Sequence, residues 1–498
     1  MSLAPDLTPA SPAGADALLF ADATDQLAAL RGGRVSAVEL LTAELQRVDR
    51  LNPQINAVVT RDAARAMAEA RGVDAARARG EALGPLAGLP MTVKDNFDIE
   101  GLPASMGMKA LLGRPATDAD AVARVRTAGA IVWGQTNTPA GSADHQTYNA
   151  LYGVTRNPWN LDRTPGGSSG GSAAALAAGF TALEIGADIG GSIRIPASFC
   201  GVAGHRPSWN LVSQRGIPTP PGYLSDYDLM VVGPMARSVR DLQLLLGVLA
   251  DVPTAPARPL RDLRIGLWLN EPSFPLDTAV RSALTAFAAR LQPEGAMVEP
   301  IASPLPAREM LSAYMTLLAA ILGAGQPPAV LGFFDLLRGP AKIAKAFGAG
   351  PLSWAQGVLG TTARHHEWLA ANEARARLKA RLAGVFERHD VILAPVAPTA
   401  AFIHDHSPLQ INRRVAMSDG RRIEYLELVD WIALATLCDL PATVIPVGLT
   451  ADGLPVGVQI IGRPGADAAT LAAAAALEVV AGGFRPPPLW EAANREAG

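Results

Sequence analysis

The chain has 498 residues, enough for two to four domains or for one large α/β unit. Hydrophobic residues make up 49% of it and charged residues 18%, a composition typical of globular proteins with a buried core. Its net charge of −3 reflects neither a basic surplus nor an acidic tail, which argues against nucleic acid binding and against a solvating or chaperone role.

The start of the chain differs in composition from the rest. Residues 1–20 are rich in Ala, Pro, Asp and Ser, and we expect them to form a flexible N-terminal arm. They lack the basic start and the sustained apolar run of a signal peptide. The two cysteines, Cys200 and Cys438, lie far apart and match no metal or redox spacing. Two buried, reduced thiols in a cytoplasmic protein are therefore expected.

The first clear helix begins after Ser36, which forms a capping box with Glu39 ahead of an apolar stripe. Asn52 and Pro53 are expected to end it. Apolar runs typical of strands then alternate with helices of small residues, which predicts a single α/β domain over residues 21–498, with a sheet covered by helices on both faces. The predicted strands cover residues 90–93, 130–134, 183–185, 265–269, 391–394, 443–447 and 456–461.

The alternation stops at about residues 305–388, a stretch predicted to be helical and to form a cap or insertion within the domain. Its aromatic residues are interpreted either as core residues at helical spacing or as the lining of an apolar substrate pocket. They are Tyr314, Phe333, Phe334, Trp354 and Trp368. The longest apolar stretch, residues 317–334, is interrupted by glycines and prolines, which argues against a membrane span.

Two blocks rich in glycine and serine carry the densest chemical signal. The first reads PGGSSGGS over residues 165–172, and the second reads GADIGGSIRIP over residues 186–196. Glycines permit unusual backbone angles in such loops. Consecutive backbone N–H groups in the second block can hold an oxyanion beside the hydroxyl that creates it. These N–H groups belong to Ile189, Gly190, Gly191 and Ser192.

A serine hydroxyl needs a base to become a useful nucleophile. The seven histidines lie in unrelated contexts, and no motif marks any of them as the base. The pairs at 365–366 and at 404 and 406 could bind a metal, but ordinary surface positions are the favoured interpretation. The seven histidines are His145, His205, His365, His366, His389, His404 and His406. A neutral lysine is the other available base. Lys94 follows an apolar strand, and burial there can lower the lysine pKa from about 10.4.

The same blocks allow other interpretations besides a serine nucleophile with a lysine base. Residues 166–170 also fit the G-x-S-x-G nucleophile elbow of α/β-hydrolases, although no strand precedes them as that elbow requires. Neither block has the spacing of a glycine-rich nucleotide loop. Asp188 and Arg194 flank the second serine and are interpreted as an ion pair that braces the loop, with direct substrate contact as the alternative.

Together with residues 88–96, 129–138, 233–239 and 453–459, the blocks resemble the amidase signature family. The two block serines lie 24 residues apart, as in that family, and Lys94 lies 74 residues before the first of them, a spacing that the family holds more loosely. The resemblance covers roughly residues 25–480. It implies the amidase signature fold, with a large mixed β-sheet.

The resemblance also implies individual roles. Lys94 matches the family's base, Ser168 its relay serine after a cis peptide bond, and Ser192 its nucleophile. The backbone N–H groups of residues 189–192 match its oxyanion hole. The positions that face the acyl group in relatives are Ser142, Ala143 and Asp144.

The sequence departs from the family in one place. Many members carry Lys-Pro-Thr after the second block, where this chain reads Arg206-Pro207-Ser208. This departure puts the local wall of the substrate site in question and leaves the triad intact.

The activity that the resemblance implies is hydrolysis of a C–N bond through an acyl-enzyme, in an amide, an aryl ester or a carbamate. The alternative is an A-type amidotransferase subunit in a multi-subunit complex. The lack of a basic surplus and the long apolar insertion favour a free-standing hydrolase. No metal or cofactor is expected, and the partner is a small molecule, with no nucleic acid and no membrane span. A monomer or homodimer in the cytoplasm is expected.

Overall fold

The computed structural model describes residues 15–114, 116–217, 224–255 and 258–488. The α-helices in these ranges are α1 (Ala23–Arg31), α2 (Ala37–Ile55), α3 (Ala63–Ala78), α4 (Asp120–Thr127), α5 (Gly170–Ala177), α6 (Arg194–Cys200), α7 (Val239–Ala250), α8 (Thr278–Leu291), α9 (Ala307–Ala324), α10 (Pro328–Leu336), α11 (Arg338–Ala346), α12 (Trp354–Thr361), α13 (His365–Arg388), α14 (Ala433–Leu437) and α15 (Asp467–Ala481).

The strands are β1 (Val58–Arg61), β2 (Pro90–Lys94), β3 (Ile131–Thr136), β4 (Tyr148–Asn149), β5 (Gly153–Val154), β6 (Leu183–Asp188), β7 (Ala203–Arg206), β8 (Val231–Ala236), β9 (Arg264–Leu267), β10 (Met297–Pro300), β11 (Val391–Pro395), β12 (Arg414–Ala416), β13 (Arg422–Glu424), β14 (Ala442–Leu449) and β15 (Pro455–Ile461). Each strand that the sequence predicted lies within or overlaps one of these.

The core of the molecule is an eight-stranded sheet with the order β10-β9-β11-β15-β14-β7-β8-β6. Strand β9 pairs in parallel with β10 and β11, whereas β11 with β15 and all later neighbours pair antiparallel. Every residue of β15 is buried, so this central strand is apolar without alternation. The predicted α/β fold with a large mixed sheet is confirmed.

A smaller three-stranded sheet, β1-β3-β2, lies beside the edge of the large one. Its edge strand β2 contacts β6, the last strand of the large sheet, through buried polar side chains. The Thr92 hydroxyl donates a hydrogen bond to Glu184, and the backbone N–H of Thr92 donates to the Thr181 hydroxyl at 3.3 Å. The carboxyl ends of β2 and β6 carry Lys94 and Asp188. Contact between the two strands therefore brings the candidate base close to the second glycine block.

Helix α2 begins where the sequence predicted and ends later. Ser36 and Glu39 form the predicted capping box, with the Ser36 hydroxyl accepting from the Glu39 N–H at 3.1 Å. The expected stop at Asn52 and Pro53 is wrong, because the helix continues to Ile55 with Pro53 inside its last turn. It ends at Asn56, whose left-handed backbone (φ 56°) closes the helix as asparagine commonly does.

The predicted N-terminal arm overlaps the described residues only at its end, and residues 1–14 lie outside them. Several side chains of residues 15–20 are packed against the rest of the domain. Ala15 and Leu19 are buried in the main core, and the Phe20 ring stacks on the Phe484 ring with centroids 6.1 Å apart. These apolar contacts hold this part of the segment against the body of the domain.

The predicted helical insertion corresponds to α9–α13, five consecutive helices between β10 and β11. Its aromatic residues are neither all core residues nor all part of a pocket lining. Tyr314 is fully buried, whereas Phe333 and Trp354 are 58% and 44% exposed. In the part of the chain that the structure describes, no helix is both long enough and apolar enough to cross a membrane.

Candidate active site

Lys94 is fully buried at the end of β2. Its Nζ lies 2.7 Å from the Ser168 Oγ. Burial disfavours the ammonium form and lowers the Lys94 pKa to about 7, although the charges of Asp188 and Glu184 oppose this shift. A large fraction of Lys94 is therefore neutral near pH 7, as a base requires.

Glu184 lies behind Lys94 on β6 and is also fully buried. Burial raises its pKa to about 8, while hydrogen bonds from Thr92 and other hydroxyls oppose that shift. The carboxyl group is therefore mostly neutral at pH 7, so Asp188 is the main charge that opposes the lowered Lys94 pKa.

The first glycine block packs tightly against the backbone of residues 144–146. The peptide bond between Gly167 and Ser168 is cis, as the family resemblance implied. A Cβ on Gly167 would lie 2.5 Å from the carbonyl oxygen of Asp144, so only glycine fits. The Thr138 hydroxyl donates to the Ser168 carbonyl at 3.1 Å. These contacts present the Ser168 hydroxyl to Lys94.

The second block lies against the first. The Ser169 N–H donates to the Ser192 carbonyl at 3.1 Å. Ser192, Ser168 and Lys94 all line one cavity of about 480 Å³, and Ser192 is 6% exposed. The described residues that line this cavity are Lys94, Asn96, Met106, Met108, Leu111, Ala140, Gly141, Ser142, Ala143, Ser168, Ala187, Asp188, Ile189, Ser192, Ile217, Tyr227, Met230, Ile321, Leu322, Gly325 and Gln326.

A buried ion cluster braces the loop around Ser192. The Arg194 guanidinium donates to both Asp188 carboxylate oxygens at 3.0 Å, and all three side chains of Asp188, Arg194 and Arg206 are inaccessible to solvent. Burial alone would raise the Asp188 pKa, but the two guanidinium charges hold it well below its usual range. The predicted Asp188–Arg194 ion pair is present. Since Asp188 is saturated by these partners, it serves the loop rather than a substrate.

Arg206 marks the departure from the common family pattern, and it lies behind the loop instead of lining the cavity. Its Nη1 donates to the Asp188 carbonyl at 2.9 Å, and its Nη2 donates to the Leu229 carbonyl at 3.1 Å. The change from the family's lysine to Arg206 therefore affects how the loop is supported. Arg206 itself does not form part of the substrate wall that the sequence put in question.

The four N–H groups predicted to bind an oxyanion differ in availability. The Gly191 N–H already donates a hydrogen bond to Asp188 Oδ1 at 3.0 Å, so it is engaged within the loop. Within the described ranges, the N–H groups of Ile189, Gly190 and Ser192 have no acceptor. These three donors remain free for a negatively charged oxygen beside Ser192.

Gly191 carries a conformation that other residues avoid. Its φ is +89°, and an added Cβ would lie 2.9 Å from Ile195 Cδ1. We expect Gly191→Ala to lower the free energy of unfolding by about 1–3 kcal/mol, measured by urea denaturation. Gly190→Ala is the matched control, because its Cβ would meet nothing closer than 3.7 Å. Equal losses in the two variants would contradict this expectation.

The three positions predicted to face a substrate separate into two groups. Ser142 and Ala143 line the cavity. Asp144 is not among the described lining residues, because its carboxylate points the other way. It accepts hydrogen bonds from the Tyr425 hydroxyl and from Arg413 Nη1, the latter at 2.7 Å. Asp144 thus ties this loop to the 413–425 segment, and its predicted contact with substrate is not supported.

The aromatic residues suspected of lining an apolar pocket do not reach the cavity. Phe333, Phe334 and Trp354 are absent from its described lining, whereas Ile321 and Leu322 near the end of α9 contribute to it. The insertion therefore lines the cavity with the last turns of α9, and not with the aromatic residues that the sequence indicated. The described residues contain no cluster of three or more His, Cys, Asp or Glu side chains suited to a metal ion.

Two residues to which the sequence assigned no role at the loop contact it. His145 Nε2 lies 2.9 Å from the Gly190 carbonyl, and the Tyr314 hydroxyl donates to the Ile189 carbonyl at 3.0 Å. No local motif surrounds either residue. Only the fold, which brings α9 across the loop, reveals the contact.

Known proteins share this architecture. The family profile named Amidase matches residues 39–471. The A subunit of glutamyl-tRNA(Gln) amidotransferase from Roseiflexus castenholzii is 35% identical over 485 residues, which cover 90% of this chain and 92% of the relative. A 6-aminohexanoate cyclic dimer hydrolase superposes with a TM-score of 0.75 at 28% identity, covering 95% of this chain and 99% of that one. A bacterial aryl acylamidase of the amidase signature family gives 0.76 at 26% identity, over 93% and 96% of the chains.

Proposed function

Because the chain belongs to the amidase family, we propose that it is a free-standing serine hydrolase that cleaves the C–N bond of uncharged, apolar amides. The proposed nucleophile is Ser192, the proposed relay Ser168 and the proposed base Lys94. The observation that carries the proposal is the 2.7 Å contact between Lys94 Nζ and Ser168 Oγ in the wall of the cavity that Ser192 also lines.

In this mechanism the proton of Ser192 moves to Ser168 as Ser168 passes its own proton to neutral Lys94. The Ser192 oxygen forms a bond to the carbonyl carbon of the amide, and the carbonyl π electrons move to oxygen. The free N–H groups of residues 189, 190 and 192 stabilise that oxyanion. When the tetrahedral intermediate collapses, the C–N bond breaks and the relay returns a proton to the leaving nitrogen. Water then cleaves the acyl-enzyme by the same steps.

The chemistry of the cavity supports an uncharged substrate. Lys94 and Asp188 are the charged residues in its described lining, and both are engaged with neighbours. Most of the remaining lining is aliphatic or methionine. A carboxylate or ammonium group on the substrate would lose its hydration there without gaining an ionic partner, which costs several kcal/mol.

A second candidate is an A-type member of an amidotransferase complex. The 35% identity to the Roseiflexus amidotransferase protein over 90% of this chain favours it. Such a protein would need to bind a charged ammonia donor, which the apolar lining disfavours. The net charge of −3 also offers no general attraction to RNA.

A substrate panel distinguishes the two functions. We expect the purified chain alone to hydrolyse anilides and alkyl amides, with kcat/KM rising about tenfold or more per added methylene until the cavity is filled. L-glutamine should be a much poorer substrate. Aryl esters and carbamates in the same panel define the leaving group. Glutaminase activity that appears only with copurifying subunits would instead support the amidotransferase.

Ile321→Ala tests the cavity's role in specificity. Ile321 lines the cavity, whereas Phe333 in the next helix is 58% exposed and does not. We expect Ile321→Ala to lower the ratio of kcat/KM between a long-chain and a short-chain anilide by about 10-fold or more, since each buried methylene contributes about 1–3 kcal/mol. Phe333→Ala is the control and should leave the ratio unchanged. A change in the Phe333 variant alone would place the acyl site under α10.

A further inference from the structure

The loop before Ser192 is anchored at every carbonyl group. Five consecutive carbonyl oxygens, those of residues 188–192, each accept a hydrogen bond of 3.1 Å or less. The donors are Arg206 Nη1 at 2.9 Å, the Tyr314 hydroxyl at 3.0 Å, His145 Nε2 at 2.9 Å, the Ile195 N–H at 2.7 Å and the Ser169 N–H at 3.1 Å, in that order. Three of these donors, Arg206, Tyr314 and His145, are side chains outside both glycine blocks. Arg206 contacts Asp188 at the end of β6, so Tyr314 and His145 are the two that contact residues 189 and 190 of the loop itself.

These contacts fix the direction of the N–H groups. In a trans peptide the C=O of one residue and the N–H of the next point in opposite directions. The Tyr314 contact with the Ile189 carbonyl therefore sets the direction of the Gly190 N–H. The His145 contact with the Gly190 carbonyl likewise directs the Gly191 N–H onto Asp188 Oδ1, which lies 3.0 Å away.

The histidine must act as a donor here, because a carbonyl oxygen can only accept. Burial lowers the His145 pKa, while Asp144 and Asp188 oppose that shift. The imidazole is therefore neutral, with its proton on Nε2. Tyr425 packs against the same ring, with centroids 6.0 Å apart.

The sequence of the loop explains why external anchors matter. Gly190 and Gly191 have no side chains to restrict their backbone, and glycine samples more conformations than any other residue. A backbone donor that shifts by an ångström loses most of its effect on a developing charge, because that effect depends on preorganisation. Both anchors flank Gly190: an added Cβ there would lie 3.7 Å from His145 Nε2 and from the Tyr314 hydroxyl.

We propose that His145 and Tyr314 are positioning residues that hold the Ile189–Gly191 backbone so that the Gly190 N–H stabilises the oxyanion of the transition state. This inference rests on the proposed function, because it assumes that Ser192 attacks beside this loop. Tyr314 belongs to α9, whose C-terminal half supplies Ile321 and Leu322 to the cavity. One helix thus contacts both the bound acyl group and the loop that stabilises its oxyanion.

The test uses Tyr314→Phe, which removes one hydroxyl, and His145→Leu, which removes the imidazole donor. For each full-length variant we would measure kcat and KM on an anilide and the inhibition constant of an aryl boronic acid, which forms a tetrahedral adduct with a serine. We expect kcat to fall about 10-fold or more in each variant, below the 10²- to 10³-fold loss for deleting a donor outright. The boronic acid should bind more weakly by a similar factor, with KM within about twofold.

A rescue variant and a matched control separate positioning from simple packing. His145→Gln carries an amide N–H of similar reach, and it should recover most of the kcat lost in His145→Leu. His389→Leu is the control, since His389 is also buried and its Nδ1 lies 3.1 Å from a backbone carbonyl, that of Val385. It should leave kcat and boronic acid binding unchanged.

Three results would overturn the inference: wild-type kcat and boronic acid binding in Tyr314→Phe, a higher KM with unchanged kcat, or no rescue by His145→Gln. If His145→Leu fails to fold, Tyr314→Phe and His145→Gln still decide the outcome. Failure of the proposed function looks different, because the wild-type enzyme itself would then not be labelled at Ser192 by a fluorophosphonate.

Discussion

Ser192→Ala is expected to reduce amide turnover by roughly 10⁴- to 10⁶-fold, the loss typical of removing a serine nucleophile. Ser192 lines the same cavity as Ser168 and Lys94, and its own N–H and those of residues 189 and 190 are free within the described residues. The variant should also lose labelling by a fluorophosphonate probe, read by intact-protein mass spectrometry. Steady-state hydrolysis of an anilide supplies the rate.

Ser198→Ala is the matched control for this experiment. Ser198 is 6% exposed, like Ser192, and lies on α6 of the same segment, but its hydroxyl accepts from the Gly457 N–H at 2.9 Å outside the cavity. Its removal leaves that N–H without a partner and should cost about 1–3 kcal/mol of stability while labelling persists. Stoichiometric labelling of Ser192→Ala would require a nucleophile elsewhere and refute the assignment.

The sequence was most informative where chemistry constrains the chain over a short distance. The glycine blocks must form tight turns around serines, so their composition alone predicted a loop with aligned N–H groups. Lys94 is the last residue of a wholly buried strand, and burial of this strand end accounts for its lowered pKa. The capping box at Ser36 was predictable for the same reason, since it depends on two residues three positions apart.

Contacts that join distant segments were not predictable. Tyr314 and His145 meet the loop because α9 and the 140–149 segment cross it, and nothing in their neighbouring residues indicates this. Asp144 was assigned to the substrate by position, but its partner Arg413 lies 269 residues away. Strand β8 was missed because Gly233 and Pro234 interrupt its apolar run, although Pro234 pairs with Ile185 in the sheet.

The aromatic residues of the insertion did not predict the lining of the cavity, for another reason. Helical periodicity identifies which face of a helix is apolar, and it does not identify what that face contacts. Phe333 lies on an exposed face of α10, whereas the cavity is reached by Ile321, an aliphatic residue without special signal. Predicting the lining therefore required knowledge of how α9 packs against the loop before Ser192.

Lys94→Arg is expected to abolish amide hydrolysis almost as completely as removal of the side chain. In the wild type, burial lowers the Lys94 pKa to about 7, so neutral amine becomes available as the pH rises through this value. Below it, kcat/KM for an anilide should fall about tenfold per pH unit as the base is protonated. Above it, the rate should level off. An arginine keeps its proton throughout this range and cannot accept one from Ser168.

Two further variants isolate the base from the bulk of the side chain. Lys94→Met has a similar length without charge, and it should lose amide turnover without the strain of a guanidinium in a buried site. Ser168→Ala interrupts the relay, and we expect it to retain some turnover of activated esters, whose leaving groups need no proton. Lys345→Arg is the control, because the Lys345 pKa is also lowered by burial although the residue lies outside the described cavity lining.

The decisive measurement is kcat/KM against pH for the wild type and these variants, with an anilide and its matching ester. If Lys94→Arg loses both amide turnover and the fall in kcat/KM below about pH 7, the result supports Lys94 as the base. Because the proton that Lys94 takes up is returned to the leaving nitrogen through Ser168, the amide should lose more activity than the ester in every relay variant. Wild-type amide turnover and an unchanged pH profile in Lys94→Arg would make the lysine structural, and the mechanism would then need another base.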